Sequence, residues 1–174
     1  MASRRKGRIL AFQALYSWEV NGGGSPREPR LPGKFRVPEQ PRLPGEVSED
    51  LLKFSWLELE KQNTLDEDMS GFSRLLIIGT VENIAAIDQM IKKHLENWDF
   101  SRLNRVDLAI LRMSTYTLMF QTDVAPSIVI NEAIGISKEF GTGESYRFIN
   151  GVLDSIKRTL QKDPAPPEAL QGVK

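Results

Sequence analysis

The residues of this chain best suited to chemistry are a set of cations and a set of aromatic rings. Arg4, Arg5, Lys6 and Arg8 crowd the N-terminal end. Directly after them come Ile9, Leu10, Phe12, Leu15, Tyr16 and Trp18, whose positions cover most of a helix circumference and leave only Gln13 and Ser17 as a polar strip. A helix apolar almost all round belongs inside a bundle, and it would hold the cluster firmly. Cations at a helix N-terminus oppose its dipole, at a cost of about 0.3–1 kcal/mol for each charge near the first turn. A local rule broken without visible compensation marks a place to look for function. Guanidinium forks match phosphate oxygens bidentately, so the chemistry indicated is phosphate recognition. On charge alone, a solvated basic terminus explains the cluster equally well.

The second set lies at Phe140, Tyr146, Arg147 and Phe148. Aromatic faces beside a guanidinium can stack unpaired bases, the usual grip on single-stranded RNA. The plainer reading puts Phe140 and Phe148 in the core. Gly141 and Gly143 lack the full spacing of a phosphate-binding loop and are better read as a helix end.

Catalytic and metal-binding readings find little support. The chain has no cysteine and a single histidine, His94, which excludes disulfides and thiolate metal sites and makes a His-based triad improbable. His94 sits beside Lys92 and Lys93 and reads as a surface residue. Asp66, Glu67 and Asp68 suit the positive end of a helix dipole better than a metal ion. No catalytic residue, metal or cofactor is therefore expected.

The elements that must position these residues are helical nearly throughout. The periodicity predicts about seven helices, over 4–20, 48–61, 66–81, 83–97, 103–120, 126–140 and 144–160. Ser48 with Glu49 and Asp50 opens the second, Pro126 suits a first helical position, and Gly141 closes the helix ending at Phe140. Asn150-Gly151 would ordinarily signal a turn. The stripe Ile149, Val152, Leu153, Ile156 and Leu160 runs through it and argues for an unbroken helix.

Length and composition complete the frame. The chain has 174 residues and no formal net charge, yet residues 1–45 carry nine Lys/Arg against three Asp/Glu. Such asymmetry suits an electrostatic partner at the basic end. Residues 1–160 read as one helical domain. Within it, 21–45 is a Pro/Gly-rich loop insertion that repeats Pro-Arg-Leu-Pro-Gly at 29–33 and 41–45, and 161–174 forms a frayed tail. The insertion could serve a helical protein–protein adaptor as a proline-rich ligand. The basic start followed by a short apolar run lacks the cleavage site of a signal peptide, and no run is long enough to span a membrane, so the chain reads as cytoplasmic.

Four blocks carry a resemblance. Ala14-Leu15-Tyr16-Ser17-Trp18, Val106-Asp107-Leu108-Ala109-Ile110-Leu111-Arg112, Ile130-Asn131-Glu132-Ala133-Ile134 and Phe148-Ile149-Asn150-Gly151-Val152-Leu153-Asp154 occur in the order found in the NusB family of bacterial transcription antitermination factors. The resemblance covers most of 3–160 outside the insertion. It implies an all-α fold of two small packed helical subdomains and a non-enzymatic role. Members of this family bind single-stranded boxA RNA of rRNA operon leaders together with NusE, a small-subunit ribosomal protein, and help the transcribing RNA polymerase complex resist termination. Carried over by position, Arg4, Arg5 and Arg8 fall in the arginine-rich RNA-binding motif, and Tyr16 matches a tyrosine near that surface. Phe140, Glu144, Arg147 and Phe148 fall in the second RNA-contacting segment, with Glu144 standing where some members have aspartate. The two segments are expected to form one RNA surface. Asp107 aligns with a carboxylate on the side facing NusE. Some members self-associate, which leaves a homodimer open. The same fold also occurs fused to certain rRNA methyltransferases, but this chain shows neither a second domain nor a glycine-rich cofactor motif.

Overall fold

The helical periodicity is realised in the computed structural model of the chain, which describes residues 2–21 and 47–163. Among these residues the regular elements are all helices: α1 (Ala2–Val20), α2 (Glu49–Leu52), α3 (Leu59–Gln62), α4 (Glu67–Glu82), α5 (Ile84–Lys93), α6 (Arg105–Phe120), α7 (Pro126–Phe140) and α8 (Ser145–Lys162). A single 3-10 turn, Phe100–Arg102, precedes α6. The insertion expected at 21–45, beyond Asn21, and the tail from residue 164 lie outside the described residues. The chain divides into two compact units, Met1–Ala85 and Ala86–Lys174. No single described helix is long and apolar enough to cross a membrane.

In the first unit α1 packs against α4. Leu10, Ala11, Phe12, Leu15 and Trp18 are buried from one side, and Met69, Leu76, Ile77 and Val81 from the other. Each large apolar side chain so placed contributes roughly 1.5–3 kcal/mol relative to exposure. Gly7 lets the helices approach: a Cβ there would lie 2.8 Å from Cδ1 of Phe72. The buried Ser73 hydroxyl secures the crossing, lying 2.9 Å from the Gly7 carbonyl oxygen and 2.8 Å from that of Met69, with one proton to share between them. The expectation of an α1 apolar and enclosed all round needs correction. Tyr16 and Val20 are 39% and 42% exposed, so the helix keeps an open strip.

The helix expected over 48–61 is broken. Ser48 caps it through its hydroxyl, as its sequence suggests, but α2 stops after Leu52. The stop is a Schellman arrangement: the Ser55 N–H donates to the Asp50 carbonyl and the Phe54 N–H to that of Leu51. Its left-handed residue is Phe54 (φ 55°) rather than glycine. A bulky residue there carries strain of about 1–2 kcal/mol. Burial of the Phe54 ring, which is 1% exposed, offsets it. Arg74 reinforces the stop from α4, donating through Nε to the Leu52 carbonyl (2.9 Å).

In the second unit α7 and α8 pack on each other and both pack on α6. Residues 107–115 of α6 are buried without interruption. Asn104 caps α6 by accepting from the Asp107 N–H at 2.8 Å, while its amide donates to Asp107 Oδ2 at 2.7 Å. Asn104 is thus an N-cap whose side chain is itself held by the Asp107 carboxylate. Within the buried layer Arg112 forms a two-pronged pair with Asp88, both contacts at 2.8 Å. Pro126 occupies the first position of α7, and α8 runs unbroken through Asn150-Gly151. It continues to Lys162, two residues into the segment expected as tail.

Two further expectations change. The helix expected over 83–97 ends at Lys93. Asn97 adopts φ 62° beyond it, a left-handed conformation that asparagine tolerates. His94 is half-buried rather than on the surface. Its Nδ1 lies 2.8 Å from the Met90 carbonyl oxygen and its Nε2 2.7 Å from Thr159 Oγ1, tying the end of α5 to α8.

Candidate nucleic-acid interface

The cationic cluster lies inside α1, where the helix expected from residue 4 onward placed it. Since α1 starts at Ala2, Arg4 and Arg5 fall in its first turn, where no acidic residue accompanies them. The compensation invisible in the sequence is Phe72 of α4. The guanidinium carbon of Arg4 lies 4.4 Å from the centroid of its ring and that of Arg8 5.3 Å away. Cation–π contacts of this kind are worth about 0.5–1 kcal/mol each at accessible sites. That is the same size as the dipole penalty, so two contacts offset it. A guanidinium held against a ring through its face can still present in-plane N–H donors to phosphate oxygens. Arg4 is exposed and Arg8 half-buried.

The remaining members of the first set diverge. At about 100° per residue, Lys6 leaves the helix roughly 160° away from Arg4. It is exposed on the far side of α1 and does not join the arginine–phenylalanine stack. Arg5 is half-buried on an intermediate face. Tyr16 returns to nearly the azimuth of Arg5 about three turns later, roughly 16 Å along the axis. The first set is therefore two stripes: Arg4 with Arg8 on Phe72, and Arg5 in line with Tyr16.

In the second unit the turn between α7 and α8 sets the aromatic segment. Gly141 is required here for space rather than for backbone freedom. Its φ of −89° suits any residue, but a Cβ would lie 2.6 Å from the Ser137 carbonyl oxygen and 2.8 Å from Ser145 Cβ. The turn is closed by the Thr142 N–H donating to Ser145 Oγ at 3.1 Å. Beyond it Arg147 donates through Nε to the Tyr146 hydroxyl at 3.0 Å and pairs with Glu144 at 3.5 Å. The Tyr146 ring also receives Lys138, whose Nζ is 5.0 Å from the centroid. Ion pairs this exposed are worth 0–1 kcal/mol, so Arg147 can exchange Glu144 for another anion at little cost.

Phe140 and Phe148 are both half-buried, not core residues. Phe148 packs on Trp98, with centroids 5.3 Å apart and planes at 55°. Trp98 and Phe72 are the members of these clusters that sequence reasoning did not single out. Their signal is spatial, because Trp98 and Phe148 stand 50 residues apart.

Asp107, expected on a partner-facing side, is buried in the α6 cap. Its Oδ2 is taken by Asn104, while its Oδ1 has no hydrogen-bond partner among the described residues. No group of three or more His, Asp or Glu side chains among the described residues could hold a metal ion.

The chain is similar to known proteins over most of its length. The model of the NusB family matches residues 5–158. The transcription antitermination protein NusB of Treponema denticola is 45% identical over 156 residues, 88% of this chain and 95% of that protein. Its counterpart from Treponema pallidum is 42% identical, over 90% of this chain and 93% of that protein. Among solved structures, T. maritima NusB superposes with a TM-score of 0.67 at 32% identity, covering 97% of this chain and 96% of that one. A structure of the antitermination factors NusB and NusE in complex with dsRNA gives 0.68 at 26% identity, covering 91% and 98%. An all-helical chain that carries the four sequence blocks in order, and matches such relatives almost end to end, belongs to the NusB family of transcription antitermination factors.

Proposed function

We propose that this chain binds RNA of the boxA type in rRNA operon leaders, together with NusE, and supports antitermination by the transcribing RNA polymerase complex without catalysing a reaction. The observation that carries the reading is the pair of guanidinium groups gathered at the Phe72 ring, with Arg4 exposed to solvent. Arg4, Arg5 and Arg8 meet RNA phosphates, Lys6 adds charge from the far face, and Tyr16 lies along the Arg5 stripe. In the second unit Arg147 exchanges its pair with Glu144 for a phosphate, and Phe140 and Phe148 offer ring faces to bases. Asp107 acts toward NusE by ordering the first turn of α6. The setting is the cytoplasm, where nascent RNA and ribosomal proteins meet.

The reading is supported by two relatives named as antitermination proteins and by a NusB structure that holds NusE and dsRNA. Gel filtration of the chain with NusE and a boxA oligonucleotide, separately and mixed, tests it. A co-eluting ternary species, tighter for RNA than either protein alone, is expected. Elution of RNA as free oligonucleotide in every mixture contradicts the reading, and a homodimer peak that persists in the mixture contradicts the part assigned to NusE.

A further inference from the structure

We propose that Trp98 is a base-stacking residue, which receives an unpaired nucleobase of the bound RNA on the indole face that Phe148 leaves open. The inference rests on the RNA-binding reading above and adds to it a specific contact. Among the described residues no large apolar side chain is more exposed than Trp98, at 60%. With Phe148 beside it the indole is part of a two-ring patch rather than a lone exposed side chain, and it offers a large apolar face for contact.

The backbone holds the ring outward. On one side Asn97 takes φ 62°. On the other, Asp99 caps the 3-10 turn, its Oδ1 accepting the Ser101 N–H at 2.9 Å. Trp98 is thus presented between a left-handed residue and a helix cap. Behind it the tilted contact with Phe148 supports one part of the ring and leaves the remainder in solvent.

The charges nearby in the chain suit nucleic acid. Arg147 directly precedes Phe148, and Lys92 places its Nζ 4.7 Å from the ring of Phe100, two residues beyond Trp98. An aromatic platform with cations on both contributing segments is the arrangement by which proteins hold unpaired bases, ring against base and cation against phosphate.

The test uses the full chain and a boxA oligonucleotide, together with a series of the same oligonucleotide carrying one abasic nucleotide at each position in turn. Trp98→Ala is expected to weaken binding about tenfold, the order set by loss of one stacked base. Trp98→Phe should recover most of that loss. One abasic position should bind both proteins equally, identifying the base that rests on Trp98. Thermal melts of both variants should match the parent, since the ring is largely in solvent. If Trp98→Ala binds RNA like the parent while Arg4→Ala with Arg5→Ala does not, the stacking inference falls and the RNA reading stands. Equal weakening against every abasic oligonucleotide would also overturn it, because the ring would then act at a distance. Loss of NusE binding with RNA binding intact would assign the surface to a protein partner and overturn it too. Failure of the parent chain to bind any RNA would sink the underlying reading first.

Discussion

At the scale of single residues, the cationic cluster depends on an aromatic ring as much as on its own charge. Arg4 and Arg8 lie at 4.4 and 5.3 Å from Phe72, and this stack makes a run of cations tolerable at the start of α1. Phe72→Leu retains apolar volume and removes the π face. RNA affinity measured by fluorescence anisotropy should fall about five- to thirtyfold, in line with two cation–π contacts of about 0.5–1 kcal/mol each, and helix content should not change. Asp99 gives a second test. The Ser101 N–H and hydroxyl hold its carboxyl below the usual carboxylate range. A lowered folded value means that the cap's contribution is fully present above the ordinary carboxylate pKa and disappears as pH falls through the lower, folded one. The Ser101 amide resonance should therefore stay constant from neutral pH down to the ordinary carboxylate range and shift only below it. Phe72 could not be paired with the arginines from sequence, because one sits on α1 and the other on α4.

At the scale of elements, close approach decides more than propensity does. The α7–α8 turn contains two glycines that differ in what surrounds them. A Cβ at Gly141 would sit 2.6 Å from a backbone oxygen, whereas one at Gly143 would meet nothing within 4 Å. Gly141→Ala should destabilise the fold by about 1–3 kcal/mol in urea unfolding, and Gly143→Ala should remain within about 0.5 kcal/mol of the parent. The long helices were legible because period and caps agreed: Pro126 starts α7, the Ile149–Leu153–Ile156 stripe carries α8 through Asn150-Gly151, and Asp66 caps α4. The break between α2 and α3 was not. Its stop residue is Phe54, whose left-handed backbone follows from burial of its ring and from Arg74 reaching the Leu52 carbonyl, both tertiary effects. The end of α5 was likewise set by His94 bridging to Thr159, a contact across 65 residues.

For the whole molecule, stability and function draw on different charges. Arg112 and Asp88 are paired within the second unit, their side chains 3% and 16% exposed. Arg112→Ala leaves the Asp88 carboxylate with no partner in a largely dry site and should cost about 3 kcal/mol in a thermal or urea melt, while Arg112→Met, which fills the volume, should cost less than the alanine variant if paired with Asp88→Leu. The arginines of α1 carry the opposite expectation: little effect on melting, a large effect on binding. Net charge alone gave no hint of this, since the chain is neutral overall. The uneven distribution toward residues 1–45 was the legible part, and the pairing of Trp98 with Phe148 was hidden by their distance in sequence.

The most direct measurement is the salt dependence of boxA oligonucleotide binding, for the parent chain and for Arg4→Ala with Arg5→Ala. About four phosphate contacts on a single strand should give a log–log slope of roughly −3, and loss of two arginines should bring it to about −1.5 with weaker binding at every salt concentration. A slope near zero for the parent, or an unchanged slope in the double variant, would contradict the account.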